Sequence, residues 1–235
     1  MQLLVSVSDS DEAAAALAGG ADIIDAKDPA AGPLGAVAID MLHQIGAAVG
    51  AARFVTAAIG DAAEKGAVER AAFASATAGA RLVKVGFAGT GDPKNAEALL
   101  RAAIRGASEG CDRCGVVAVA YADADRAASI SPDLLIDAAA AAGASGILLD
   151  TANKSGPGLR GLVTPEALRA WVARARQRGL MVALAGRLRL DDLDFVREAG
   201  ADVAGVRGAA CDGGREGRIS LEKVLALRRA CERSA

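Results

Sequence analysis

Short runs of aliphatic and β-branched residues alternate with longer, Ala-rich stretches along the whole chain, with no linker or low-complexity break. The apolar runs at residues 3–6, 23–26, 54–57, 82–85, 116–120, 147–150, 181–185 and 203–206 predict eight strands. The stretches between them read as helices, three with clear starts. Ser131-Pro132 and Thr164-Pro165-Glu166 place a hydroxyl cap before a proline at the first helical position, and Asp92-Pro93 does the same with a carboxylate. Regular strand–helix alternation implies parallel strands joined by crossover helices.

A repeated phrase refines this picture. Gly20, Gly79, Gly143 and Gly200 each stand in an Ala/Gly-Gly-Ala sequence two or three residues before a strand, where a left-handed glycine closes the preceding helix. Their spacings of 59, 64 and 57 residues span two strand–helix units each, so they mark the second, fourth, sixth and eighth strands. A fourfold pattern inside an eightfold one fits a (β/α)8 TIM barrel, in which alternate strands supply the interior layers. The expectation is one α/β barrel domain over residues 1–235; a doubly wound open sheet, the other parallel architecture, would not show this even spacing. Counted from the marker glycines, Asp25, Lys27, Lys84, Asp150 and Arg207 share one parity. They therefore face one side of the sheet, at or just beyond the carboxyl ends of the strands. In a barrel that is the catalytic mouth.

Composition narrows the function classes. Of the 52% hydrophobic residues, 59 are alanine and only six are aromatic, so the core must be built from small side chains in close contact. No apolar run approaches the length of a membrane span, and no secretory signal is visible at the N-terminus. The expectation is a cytoplasmic protein that does not engage the membrane. A net charge of −2 with mixed signs argues against a nucleic-acid partner. Ala-rich helices can pack against another subunit as readily as against the barrel, so a homo-oligomer is compatible with the sequence. The single histidine, His43, sits in an apolar-periodic helix and reads as solvated, which argues against a His-dependent triad or metal site. Cys111 and Cys114 form one C-x-x-C, but Cys211 and Cys231 cannot supply the second pair of a zinc site, so free thiols are expected and no metal is assigned.

The cations then become informative. Of 27 Lys and Arg residues only six are lysine, and three of the six (Lys27, Lys84 and Lys154) fall at the predicted mouth. Arginine stays protonated; a lysine amine can become a nucleophile once burial or a neighbouring cation lowers its pKa. The pattern points to imine chemistry at Lys27, with Asp25 as its proton partner, Lys84 lowering its pKa or holding a phosphate, and Asp150 with Lys154 moving protons. Lys65, Lys94 and Lys223 fall in helices with polar neighbours and read as solvated. Gly186-Arg187 after the seventh strand and Arg207-Gly208 after the eighth match the loops that bind phosphate in many barrels. The glycines after Lys154 formally match G-x-G-x-x-G, but they follow the strand at a distance and suit a mobile lid over the mouth better than a dinucleotide site.

The run Leu3-Leu4-Val5-Ser6, then Gly19-Gly20-Ala21-Asp22-Ile23-Ile24-Asp25-Ala26-Lys27-Asp28-Pro29, then Gly32-Pro33-Leu34-Gly35-Ala36, resembles the start of the (5-formylfuran-3-yl)methyl phosphate synthase family. The likeness continues through Val83-Lys84-Val85-Gly86 and Asp150-Thr151-Ala152-Asn153-Lys154, and the length matches. The resemblance implies a lyase of methanofuran biosynthesis. It would join two glyceraldehyde 3-phosphates, with loss of one phosphate and two waters, into 4-(hydroxymethyl)-2-furancarboxaldehyde phosphate. The atoms balance without a redox cofactor or metal, so the expected partner is a triose phosphate and the expected cofactor is none. The family's catalytic lysines and aspartates correspond to Asp25, Lys27, Lys84, Asp150 and Lys154. The loop Ser155-Gly156-Pro157-Gly158 departs from the family's pattern. A class I aldolase acting on another phosphorylated sugar, and a non-catalytic triose phosphate sensor, are the competing readings.

Overall fold

Eight parallel strands close into a barrel in chain order in the computed structural model, which describes residues 1–232. They are β1 (Gln2–Val7), β2 (Ile23–Ala26), β3 (Val55–Asp61), β4 (Leu82–Gly86), β5 (Gly115–Tyr121), β6 (Gly146–Asp150), β7 (Met181–Leu184) and β8 (Val203–Val206). Pairing of β1 with β8, Leu4 opposite Gly205, closes the ring and excludes an open sheet. Outside it lie α1 (Ser10–Ala18), α2 (Ile39–Val49), α3 (Lys65–Thr77), α4 (Pro93–Gly110) and α5 (Pro132–Ala142). The short α6 (Leu159–Leu162) precedes α7 (Pro165–Gln177), α8 (Leu193–Glu198) and α9 (Leu221–Glu232). After β8 the chain makes a 3-10 turn, Gly208–Ala210, and a two-stranded ribbon of β9 (Cys211–Asp212) and β10 (Arg218–Ile219). Among the described residues no helix is long and apolar enough to cross a membrane.

The local signals explain these elements. Asp92, Ser131 and Thr164 each accept a hydrogen bond from a backbone N–H three residues on, starting α4, α5 and α7 as the sequence predicts. The marker glycines Gly20, Gly79, Gly143 and Gly200 all adopt positive φ between 83° and 96°. Strand β3 departs most from expectation, beginning after the exposed Phe54 and running on to Asp61. Gly60, at φ 87°, allows a register shift between Ala58 and Asp61, and pairing with β4 resumes at Gly86.

Two apolar layers follow from the strand alternation. Leu4, Ile23, Ala58, Val117, Val119, Leu148, Ala183 and Val203 point into the barrel. The opposite face of each strand packs against the helices in a continuous layer that includes Leu3, Val5, Ile24, Val83, Val85, Ala118 and Ile147. The small residues set the spacing of that layer. A Cβ placed on Gly106 of α4 would lie 2.0 Å from the carbonyl oxygen of Glu69 on α3, and one on Gly110 would lie 2.5 Å from that of Phe73. The glycines are what let these two helices touch backbone to backbone.

Candidate active site

The strand ends converge on a cavity of about 380 Å³, within the range of small-molecule sites. Its floor is apolar, built from Leu4, Ile23, Leu148 and Val203, and its upper wall carries seven cationic side chains against a single carboxylate, Asp150. Beyond the strands its lining comes mostly from the segments that follow β6, β7 and β8. The other side of the mouth is filled: Leu34, from the loop after β2, packs inside the barrel beside Tyr121, whose hydroxyl donates to Asp61 at 2.7 Å. Gly86 is required there, because a Cβ would meet Asp61, Tyr121 and Leu34, all closer than 2.7 Å. Sequence reading missed Asp61; its only signal is the Ile59-Gly60-Asp61 bulge.

Lys27 follows directly after β2, its backbone N–H donating to Val7. The side chain is buried and lines the cavity, and no hydrogen bond or ion pair holds its amine among the described residues. Burial first, and then the charge of Lys84, pull its pKa down from 10.5 to about 7, with Asp150 and Asp25 opposing. A substantial fraction of this amine is therefore uncharged near neutral pH.

The other two lysines are paired. Lys84, in the middle of β4, donates to Asp25 at 2.6 Å. Asp25, fully buried, also accepts from Ser6 Oγ at 2.8 Å and Thr56 Oγ1 at 2.7 Å. Among the described residues Asp25 makes no hydrogen bond to Lys27, the proton partner expected of it; its ion pair is with Lys84. Three donors, supplied by β1, β3 and β4, hold its oxygens and tie it to Lys84. Lys154 donates to Asp150 at 2.6 Å. Burial works to raise the Asp150 pKa, but Lys154, Lys27 and the Thr151 N–H outweigh it and hold the carboxyl below its ordinary value. The turn carrying Lys154 is itself pinned, since Asp123 after β5 accepts from the N–H groups of Ala152 and Asn153.

In this structure the segment after Lys154 docks beside the mouth rather than over it. Leu159 is fully buried, its N–H donates to the Gly186 carbonyl at 2.8 Å, and none of residues 155–162 lines the cavity. Docking it there requires Gly186 to be glycine: φ is 102°, and a Cβ would lie 3.0 Å from Thr151 Cγ2. Arg187, next in the chain, has a left-handed backbone with φ 56° and an exposed side chain on the cavity rim.

Arg207 also departs from expectation. Its side chain is buried, and its guanidinium donates to both oxygens of Glu12 on α1, to the Ser6 and Gly217 carbonyls, and through Nε to the Arg215 carbonyl. All five N–H donors are used within the protein, leaving none for a phosphate. Its position in the strand register is as predicted, but Glu12 claims it.

The remaining sequence readings fall away from the mouth. His43, Lys65 and Lys94 are exposed on helices. Lys223 is exposed and pairs with Asp212. Cys111 and Cys114 are free thiols in the turn between α4 and β5, at the opposite end of the barrel. Among the described residues no three His, Cys, Asp or Glu side chains cluster as metal ligands.

Solved structures share the architecture. A 3-hexulose-6-phosphate synthase superimposes with a TM-score of 0.66 at 21% identity, covering 98% of this chain and 99% of that one. Orotidine 5'-phosphate decarboxylase from Pyrococcus horikoshii does so with 0.66 at 16% identity, covering 99% and 100%. At these identities the likeness shows the fold alone. Sequence relatives are much nearer. The chain is 39% identical to the (5-formylfuran-3-yl)methyl phosphate synthase of Methanocaldococcus jannaschii, over 99% of this chain and 100% of the relative. It is 40% identical to the synthase of the same name from Methanopyrus kandleri, over 95% of each. A family model described as 4-HFC-P synthase matches residues 3–228. With nearly the whole chain matched, the protein belongs to the 4-HFC-P synthase family.

Proposed function

We propose that the protein is a lyase that condenses two glyceraldehyde 3-phosphates into 4-(hydroxymethyl)-2-furancarboxaldehyde phosphate, with loss of one phosphate and two waters, through an imine at Lys27. The observation that carries this reading is the contrast among three lysines at one mouth. Lys84 and Lys154 each hold a carboxylate at 2.6 Å, whereas Lys27 has no ion pair among the described residues and a pKa near 7. A free, partly deprotonated amine facing a cavity is what nucleophilic attack on an aldehyde requires.

In this mechanism the neutral Lys27 amine adds to the aldehyde carbon of one triose phosphate, and water leaves to form the imine. The imine draws electrons from the adjacent carbon and acidifies its proton. The Lys154–Asp150 pair takes that proton and later returns protons to departing hydroxyls, a relay suited to a carboxylate held ionised beside an ammonium. Lys84, anchored by Asp25, supplies the fixed positive charge that keeps Lys27 from holding its proton. The cationic rim offsets the charge of two phosphorylated substrates. Gly186, Arg187 and the backbone N–H of Gly208 are proposed as phosphate contacts from the loops after β7 and β8; Arg207 is excluded by its bonds to Glu12.

The test is turnover with glyceraldehyde 3-phosphate, following furan absorbance and inorganic phosphate together. The expected result is one phosphate released per furan formed. Carbon–carbon bond formation without phosphate release would identify a class I aldolase, and binding without turnover would identify a sensor.

A further inference from the structure

We propose that the Arg215 guanidinium binds a phosphate group of the substrate, and that the Arg207–Glu12 pair is the device that positions it. This rests on the triose phosphate reading above and adds to it a side chain for one phosphate. Arg215 lies in the loop between β9 and β10 and lines the same cavity as Lys27. Its Nη1 donates to the Pro29 carbonyl at 2.6 Å and its Nη2 to the Gly32 carbonyl at 2.7 Å, both in the loop after β2 that begins at Lys27. These acceptors are neutral, and no carboxylate forms an ion pair with Arg215 among the described residues. The half-buried side chain is thus fixed in direction without a direct ion pair, with Asp150, Glu216 and Asp28 acting on its charge only from beyond contact. Nε and one hydrogen on each Nη remain available, an arrangement suited to bidentate contact with phosphate oxygens.

Arg207 presents the opposite case, and the contrast assigns the roles. Its charge is cancelled by Glu12, and its Nε and Nη2 hold the Arg215 and Gly217 carbonyls at 3.0 and 3.1 Å. Arg207 therefore shapes the loop and Arg215 meets the ligand. The backbone supports the same assignment: Gly213 and Gly214, both at positive φ, and Gly217, where a Cβ would lie 1.7 Å from the Asp212 carbonyl oxygen, fold the loop tightly enough to turn Arg215 inward.

The experiment compares the wild type with Arg215→Met and Arg215→Lys. Inorganic phosphate should raise the wild-type melting temperature, the shift should vanish in Arg215→Met, and Arg215→Lys should keep part of it. In borohydride trapping, the wild-type preference for glyceraldehyde 3-phosphate over glyceraldehyde should fall roughly ten- to a hundredfold in Arg215→Met, the size of a lost charge-assisted contact. Trapping of glyceraldehyde should change far less. Retention of both the phosphate shift and the preference in Arg215→Met overturns the proposal. So does an equal fall with the two aldehydes, which would make Arg215 a brace for the Lys27 loop. If neither protein traps an imine, the Lys27 reading fails while the phosphate-dependent melting shift still decides the role of Arg215.

Discussion

Replacing Lys27 with methionine should make the protein more stable and inactive. The folded-state pKa of about 7 lies below the 10.5 of an unperturbed lysine. Between those values the unfolded chain binds a proton that the folded chain does not, so wild-type stability rises with pH across this window. Below pH 7 the amine is charged in both states and the whole penalty is present. At about 1.4 kcal/mol per unit, a displacement of this size corresponds to about 5 kcal/mol. Water entering the cavity and relaxation of the flexible side chain recover part of it. A methionine of similar length adds apolar contact with no charge to bury, so Lys27→Met should gain about 2–4 kcal/mol at pH 6. Urea unfolding of both proteins at pH 6, 7.5 and 9 measures this directly. The stability difference should be largest at pH 6 and shrink steadily toward pH 9, as the wild-type amine loses its proton. A pH-independent difference, or a variant less stable than wild type at pH 6, would show that burial does not strain the charged amine.

Three further outcomes follow from the geometry. Glu12→Ala strands the buried Arg207 cation and should cost about 3–5 kcal/mol in urea unfolding, whereas Arg218→Ala, at an exposed pair with Asp9, should change stability by less than about 1 kcal/mol. Asp150, whose folded pKa is depressed, contributes stability that is present above the unfolded value of 3.8 and lost as pH falls through the folded one. The wild-type advantage over Asp150→Asn should therefore be full at pH 6 and shrink below pH 4 in an acid titration followed by circular dichroism. Gly106→Ala, though favourable for helix propensity by about 1 kcal/mol, should lower the melting temperature in calorimetry, because its methyl would lie 2.0 Å from the Glu69 carbonyl and α3 must move off α4; overpacking of this kind costs about 1–3 kcal/mol.

The parts of this molecule that depend on short-range chemistry were readable from the residues. Hydroxyl and carboxylate caps before proline, left-handed glycines before alternate strands and the two-residue period of a strand are local rules. Together they place Asp25, Lys27, Lys84, Asp150 and Arg207 on the inner face. What those rules do not carry is who pairs with whom once the barrel closes. Glu12 meets Arg207 across 195 positions of sequence, and it lies on a helix that otherwise reads as a routine surface element. Lys84 and Asp25 meet across 59, which moves Asp25 from Lys27's partner to Lys84's. Arg215 was invisible for a different reason: a loop of glycines gives no periodicity from which a side-chain direction can be read. The lid expectation came from the mobility that glycine suggests; in this structure Gly156-Pro157-Gly158 leads into Leu159, which is fully buried against the Gly186 turn.

Imine chemistry at this mouth depends on one amine among three. Incubation with glyceraldehyde 3-phosphate and borohydride, followed by proteolysis and mass mapping of the peptides, should place the reduced adduct on Lys27. The yield should rise with pH through a midpoint near 7, as the amine is released from its proton. Labelling confined to Lys154 would reverse the roles of the two lysines, and the absence of any labelled lysine would contradict imine catalysis at this site.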